Sequence, residues 1–89
     1  MSKYNVRILE AAVQDLAKID HDTARRIVQK IYRLAENLEL TRLEMLTGDL
    51  VGFYKLRVGD YRVIFEVLWE EKNILIHAID HRSRIYRKR

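Results

Sequence analysis

The chain has no cysteine and no proline, and only three glycines among its 89 residues. Without cysteine it can form neither a disulfide nor a thiolate metal site, which fits a reducing, cytoplasmic compartment. Nothing reads as a linker, a repeat or a low-complexity stretch, so residues 1–89 are expected to form one domain. No run comes near the roughly 18 apolar residues of a membrane span. The N-terminus also lacks the basic-then-apolar layout of a secretory signal. No membrane partner is expected. Asp80-His81 is too little to hold a metal, and no cofactor is implied.

What the chain does have is a balanced body and a basic end. Hydrophobic residues make up 48% and charged ones 34%, the composition of a folded, soluble domain rather than a disordered one. Residues 81–89 carry five of the seventeen Lys and Arg and no acid, which leaves twelve basic against thirteen acidic residues in 1–80. The whole positive excess therefore sits in the tail. A neutral body with a basic end points to a localised contact with phosphate or with an acidic protein surface.

Hydrophobic periodicity lays out the elements. Tyr4, Val6 and Ile8 alternate with polar neighbours as in a half-buried strand. Ala12, Leu16 and Ile19 then follow helical spacing over 11–19. Asp20 or Asp22 can cap a second helix, in which Ala24, Ile27, Val28, Ile31, Leu34, Ala35 and Leu38 recur at steps of three and four. Its opposite side, with Arg25, Arg26, Lys30, Arg33 and Glu36, reads as solvated. In 39–52, Leu40, Leu43, Leu46 and Leu50 are expected to pack under a connection. Glu70 to Asn73 reads as a turn. Ile74 to Ile79 reads as a strand apolar on both faces, hence an interior one. The expected fold is α+β, β-α-α-β-β-β, with a helical hairpin packed on one face of a mostly antiparallel sheet.

Residues 53–67 are the most informative stretch. They alternate on either side of Gly59-Asp60, a Gly-first two-residue loop of the type II′ hairpin. That loop pairs Val58 with Tyr61, Arg57 with Arg62, Leu56 with Val63 and Lys55 with Ile64. Tyr54, Leu56, Val58, Tyr61, Val63 and Phe65 then share the core face. Lys55, Arg57 and Arg62 share the other, which the helices leave open. Like charges directly opposite on a sheet are destabilising, and a polyanionic ligand accounts for them.

The last strand is expected to deliver His81, Arg82, Arg84 and Tyr86 to the same open face. Guanidiniums there can neutralise charge building on phosphorus, and a phenol can stack on a base. Like charge disfavours an ammonium, so Lys55 among arginines is a candidate general base. His81 or Arg82 could protonate a leaving 5′-oxygen. Other aromatic and imidazole groups read more plainly: His77 as packed or hydrogen-bonded, His21 as part of a turn, Trp69 as a packing or partner contact, Tyr4 and Tyr32 as core or rim.

Three segments resemble the RelE/ParE superfamily of type II toxin-antitoxin toxins: Ala12-Val13-Gln14-Asp15-Leu16 in the first helix, Tyr54 to Phe65 in the centre, and His81-Arg82-Ser83-Arg84-Ile85-Tyr86-Arg87 at the end. The resemblance implies a RelE-like microbial-RNase fold. It also implies one of two activities. RelE-like members cut mRNA in the A site of a 70S-type ribosome; ParE-like members poison DNA gyrase and lack the nuclease residues. By resemblance, Lys55 matches the catalytic lysine that acts as or supports the base, and Arg62 the arginine that stabilises the transition state. Arg82 matches the general acid and Tyr86 the stacking tyrosine. Arg57 matches an RNA-backbone position, and Arg84 and Arg87 are further RNA-binding candidates. Some relatives use a C-terminal histidine, which keeps His81 beside Arg82 as the acid. Phe53 stands where some RelE toxins carry a second lysine, and the Arg82–Tyr86 spacing is shorter than in some members. With every nuclease position filled, the RelE branch is expected. So is a cognate antitoxin, whose complex with the toxin represses its own promoter DNA.

Overall fold

The computed structural model describes residues 3–81. Strand β1 (Asn5–Ile8) leads into helices α1 (Glu10–Ala17) and α2 (His21–Glu36), then a two-residue strand β2 (Glu44–Met45). Strands β3 (Tyr54–Val58), β4 (Tyr61–Leu68) and β5 (Asn73–His81) follow. The sheet order is β1-β5-β4-β3-β2. β1 runs parallel to β5, and the other neighbours are antiparallel. The architecture is the expected α+β one, with a fifth strand added. Two residues carry no periodicity, so the sequence pattern gives no sign of β2. Among the described residues no helix is long and apolar enough to cross a membrane.

Asp20 starts α2, its carboxylate accepting the Thr23 N–H at 3.1 Å. The hydrogen bonds from Thr23 hold this carboxyl below its usual value, so the cap acts above the ordinary carboxylate range and is lost as pH falls through the lowered one. Ile27, Ile31, Leu34 and Ala35 line the buried stripe of α2, while Arg25, Arg26, Lys30, Arg33 and Glu36 are exposed. Each fully buried isoleucine contributes about 1.5–3 kcal/mol. Packing, more than propensity, therefore holds this 16-residue helix. Leu38 is buried in a short 3-10 turn beyond it, but its neighbour Leu40 is 87% exposed. The expectation that Leu40 and Leu50 pack beneath the 39–52 connection is thus corrected: that turn and a second one, Gly48–Leu50, turn both side chains outward.

The hairpin forms in the register expected, from Tyr54 opposite Phe65 to Val58 opposite Tyr61. Gly59 has φ +60° and Asp60 does not share a positive φ, the pattern of a type II′ turn. Val58, Val63 and Phe65 are buried beneath the helices.

β5 is interior, but for a reason other than two apolar faces. Ile64 faces Ala78 and Phe65 faces Ile76, so His77 is an extra residue on β5. This bulge resets the alternation. Ile74 and Ile76 before it, and Ile79 after it, all reach the same core.

β1 is also too short to accompany β5 to its end, for it pairs only as far as Ile76. The Ile79 N–H beyond it donates instead to Asp15 Oδ2 of α1 at 2.9 Å. A backbone donor at a buried residue needs such a partner. Asp15→Ala is expected to lower unfolding free energy by about 1.5–3 kcal/mol, read by urea titration. A loss below about 0.5 kcal/mol would show that water serves the Ile79 N–H as well as the carboxylate does.

Candidate nucleic-acid interface

The helices cover one face of the sheet, and the opposite face carries its polar side chains in rows set by strand register. Arg57 of β3 lies beside Arg62 of β4, and Arg62 lies beside Asp80 of β5. In the next row Glu44 faces Lys55, Lys55 faces Ile64, and Ile64 faces Ala78. Residues two apart on a strand are about 7 Å apart, so the rows adjoin.

Three cations expected on an open face prove to differ in exposure. Arg57 is exposed, whereas Lys55 retains 18% side-chain exposure and Arg62 only 5% overall. The Nε and Nη1 atoms of Arg62 are buried. The expectation of three solvent-facing cations is therefore corrected to one open, one half-buried and one enclosed. β4 is the middle strand, so side chains on β3 and β5 flank Arg62 on both sides. The like-charge pair Arg57–Arg62 also has a carboxylate beside it, because Asp80 occupies the register position across from Arg62. Arg57, Gly59, Tyr61 and Arg62 together line a recess of about 120 Å³ at the hairpin tip.

Lys55 has an acidic neighbour that the sequence reading lacked. Its Nζ lies 3.7 Å from Glu44 Oε2, and the Glu44 side chain is 60% exposed. Only the two-residue strand β2 brings them together.

His81 is not among these cations. It pairs with Tyr61, and its ring meets the Tyr61 ring edge-on at 5.4 Å. Tyr61 packs against the core with Val58, so alternation puts His81 on the helix side and Asp80 on the cationic side. The expected convergence of His81 with Lys55, Arg57 and Arg62 does not occur. Arg82, Arg84, Tyr86 and Arg87 lie outside the described residues.

A further row adjoins Lys55. His77 Nε2 lies 3.0 Å from Glu66 Oε1, and the Phe53 ring meets the His77 ring at 4.8 Å and 72°. The strand alternation of 61–68 places Glu66 opposite Phe65, away from the core. His77 joins it because Ile76, the residue before it, points into the core. Among the described residues no group of three or more His, Asp or Glu side chains is arranged to hold a metal ion.

Comparison with known proteins agrees with this architecture. Residues 6–86 match the family model described as ParE toxin of type II toxin-antitoxin system, parDE. Toxin RelG of Mycobacterium tuberculosis is 28% identical over 85 residues, covering 96% of this chain and 98% of that protein. Among solved structures, the toxin-antitoxin complex RelBE2 of Mycobacterium tuberculosis superposes with a TM-score of 0.83 at 27% identity, covering 93% of this chain and 95% of its counterpart. The archaeal RelE-RelB complex of Pyrococcus horikoshii OT3 gives a TM-score of 0.72 at 31% identity, covering 93% and 99%.

Proposed function

This chain belongs to the ParE/RelE toxins of type II toxin-antitoxin systems, and on that premise we propose that it halts translation by cutting mRNA in the ribosomal A site. One observation carries the reading. Lys55, Arg57 and Arg62 occupy adjoining rows on the sheet face that the helices do not cover. A polyanion laid across those rows meets three cations on one face, of which Arg57 is open to solvent.

In this reaction the ribose 2′-oxygen attacks the adjacent phosphorus while the bond from phosphorus to the 5′-oxygen breaks. The products carry a 2′,3′-cyclic phosphate and a 5′-hydroxyl. Lys55 serves as the base for the 2′-hydroxyl proton. Arg62, fixed among neighbours on both sides, faces the charge that grows on the phosphoryl oxygens, and a preorganised cation there needs no rearrangement as the charge develops. Exposed Arg57 holds backbone phosphate. The proton for the leaving oxygen comes from Arg82 or His81, and the position of His81 against Tyr61 favours Arg82. Tyr86 stacks on the base. The ribosome supplies the alignment of the 2′-hydroxyl, which by itself contributes much of such a rate.

Relatives named RelG and RelE favour this activity over gyrase poisoning. The toxins in the two matched complexes are held by RelB antitoxins, and a cognate antitoxin that covers the cationic face and represses the shared promoter is proposed here too. A cytoplasmic site of action follows from the ribosome as partner. Induced expression followed by primer extension on a translated message tests the proposal. Codon-phased cuts are expected, and they should vanish when the start codon of that message is destroyed. Growth arrest with DNA breaks and an intact message would replace the nuclease with a gyrase poison.

A further inference from the structure

The row formed by Phe53, Glu66 and His77 has no part in the chemistry above, yet it lies on the same sheet face as Lys55. Phe53 immediately precedes β3, two residues before Lys55. Glu66 stands next but one to Ile64, the partner of Lys55. All three residues of the row are half-buried rather than enclosed. The molecule's core lies on the other side of the sheet, so an aromatic ring here gains little from core packing. Ile76 points into the core, so alternation turns the His77 imidazole toward this face, and the bulge at His77 interrupts the β4–β5 ladder there, as bulges commonly do beside a site.

The row has two chemical surfaces. Phe53 presents an aromatic ring, steadied by the His77 ring at 4.8 Å. Glu66 presents a carboxylate whose Oε1 is held by His77 Nε2 at 3.0 Å, which leaves Oε2 outside that contact. The adjoining rows are cationic. A ligand suited to all of this carries phosphate at one end, a flat ring about one nucleotide away, and a hydrogen-bond donor on the ring's edge.

We propose that Phe53, Glu66 and His77 form a nucleobase subsite for the nucleotide adjoining the phosphate at Lys55, selective for bases that carry an amino group. Any base can stack on Phe53. Glu66 accepts from the exocyclic amine of cytosine, adenine or guanine, a pairing known from carboxylates at base edges. Uracil offers its one ring donor between two carbonyl oxygens, which a carboxylate repels. His77 is the positioning residue, since it orients both neighbours. The proposal rests on the RNA-cleaving reading for the identity of the polymer, and it adds a preference that reading does not contain.

Binding tests it apart from cleavage. Labelled 2′-O-methyl tetranucleotides of C, A or U lack the attacking hydroxyl and can be titrated by fluorescence anisotropy against the full-length chain. The wild type is expected to bind C and A at least five-fold more tightly than U. Glu66→Ala should bring the three within two-fold of one another. Phe53→Leu should weaken all three by about five-fold or more and leave their ratio unchanged. Should Glu66→Ala fail to fold, the isostere Glu66→Gln is expected to reduce the ratio at least two-fold, because a neutral acceptor bonds more weakly than a carboxylate. A ratio that survives both Glu66 variants overturns the subsite. So does a wild type that binds all three equally, or binds none, which would leave the row to a protein partner. A base preference without cuts in cells would keep the subsite and overturn the nuclease; cuts without a preference would do the reverse.

Discussion

Lys55→Ala is expected to lower the proposed ribosome-dependent mRNA cleavage by about 10²- to 10⁴-fold, the range associated with loss of a general base. Its fold should survive. Among the described residues Lys55 makes one ion pair, at 3.7 Å to a Glu44 that is 60% exposed, and such pairs contribute at most about 1 kcal/mol. Cleavage by purified toxin on programmed ribosomes, compared with the thermal midpoint of the same variant, separates the two effects. A large fall in rate with a midpoint within a few degrees of wild type fits the assignment. A rate within ten-fold of wild type would remove Lys55 from the base role. Arg62→Ala is a less clean experiment for the role proposed for that residue. Arg62 is buried in the middle strand, so its truncation opens space in the sheet and removes a cation at once. Arg62→Lys keeps the charge but not the planar fork, and its loss of rate is the better measure of what the guanidinium contributes.

Phe65→Ala is expected to remove about 3–5 kcal/mol of stability, the cost of deleting a fully buried aromatic ring. Phe65 is completely enclosed, and its ring lies 5.7 Å from that of Tyr54. It sits on β4 where the bulge switches register with β5, so the surrounding backbone has little freedom to collapse into the cavity. A domain of this size commonly has only about 5–15 kcal/mol in total, and the variant should be partly unfolded at 37 °C. Urea unfolding in a Lys55→Ala background, which avoids toxicity during expression, gives the number. Leu40→Ala, at a side chain 87% exposed, is the contrast and should change stability by less than about 0.5 kcal/mol. Equal losses at the two positions would mean that the core is centred elsewhere.

What could be read from the sequence divides along physical lines. The hairpin register was legible pair by pair, because a Gly-first loop fixes it and a slip of one residue would turn the whole apolar set outward. The buried stripe of α2 was legible for the same kind of reason, since seven apolar residues at helical spacing leave little choice of face. Strand β2 was not, for two residues have no period. Nor was the bulge, because one extra residue leaves no mark in composition. It only makes Ile74, Ile76 and Ile79 look as if they point to opposite faces. In the candidate site, alternation assigned Lys55, Arg57 and Arg62 to one face correctly but could not say how enclosed each would be. Enclosure depends on strand order, and strand order put Arg62 in the middle. His81 went to the wrong face because the extra residue at His77 changes the parity of everything after it on β5. Glu44 escaped notice because it reaches Lys55 only through β2.

The pairing of β1 with β5 has a consequence for the order in which this protein comes into being. β1 is synthesised well ahead of its sheet neighbour β5, whose Asn73 stands opposite Asn5. Contacts that distant along a chain are slow to form and arise late. The β3–β4 hairpin, which holds Lys55, Arg57 and Arg62, needs only its own residues to pair. The cationic strands can therefore be laid down while the sheet that fixes them is still unfinished. No nascent fragment shorter than about residues 5–76 contains both sides of the β1–β5 ladder. A ribosome making this toxin must extend it past Ile76 before the sheet that fixes the cationic strands can close.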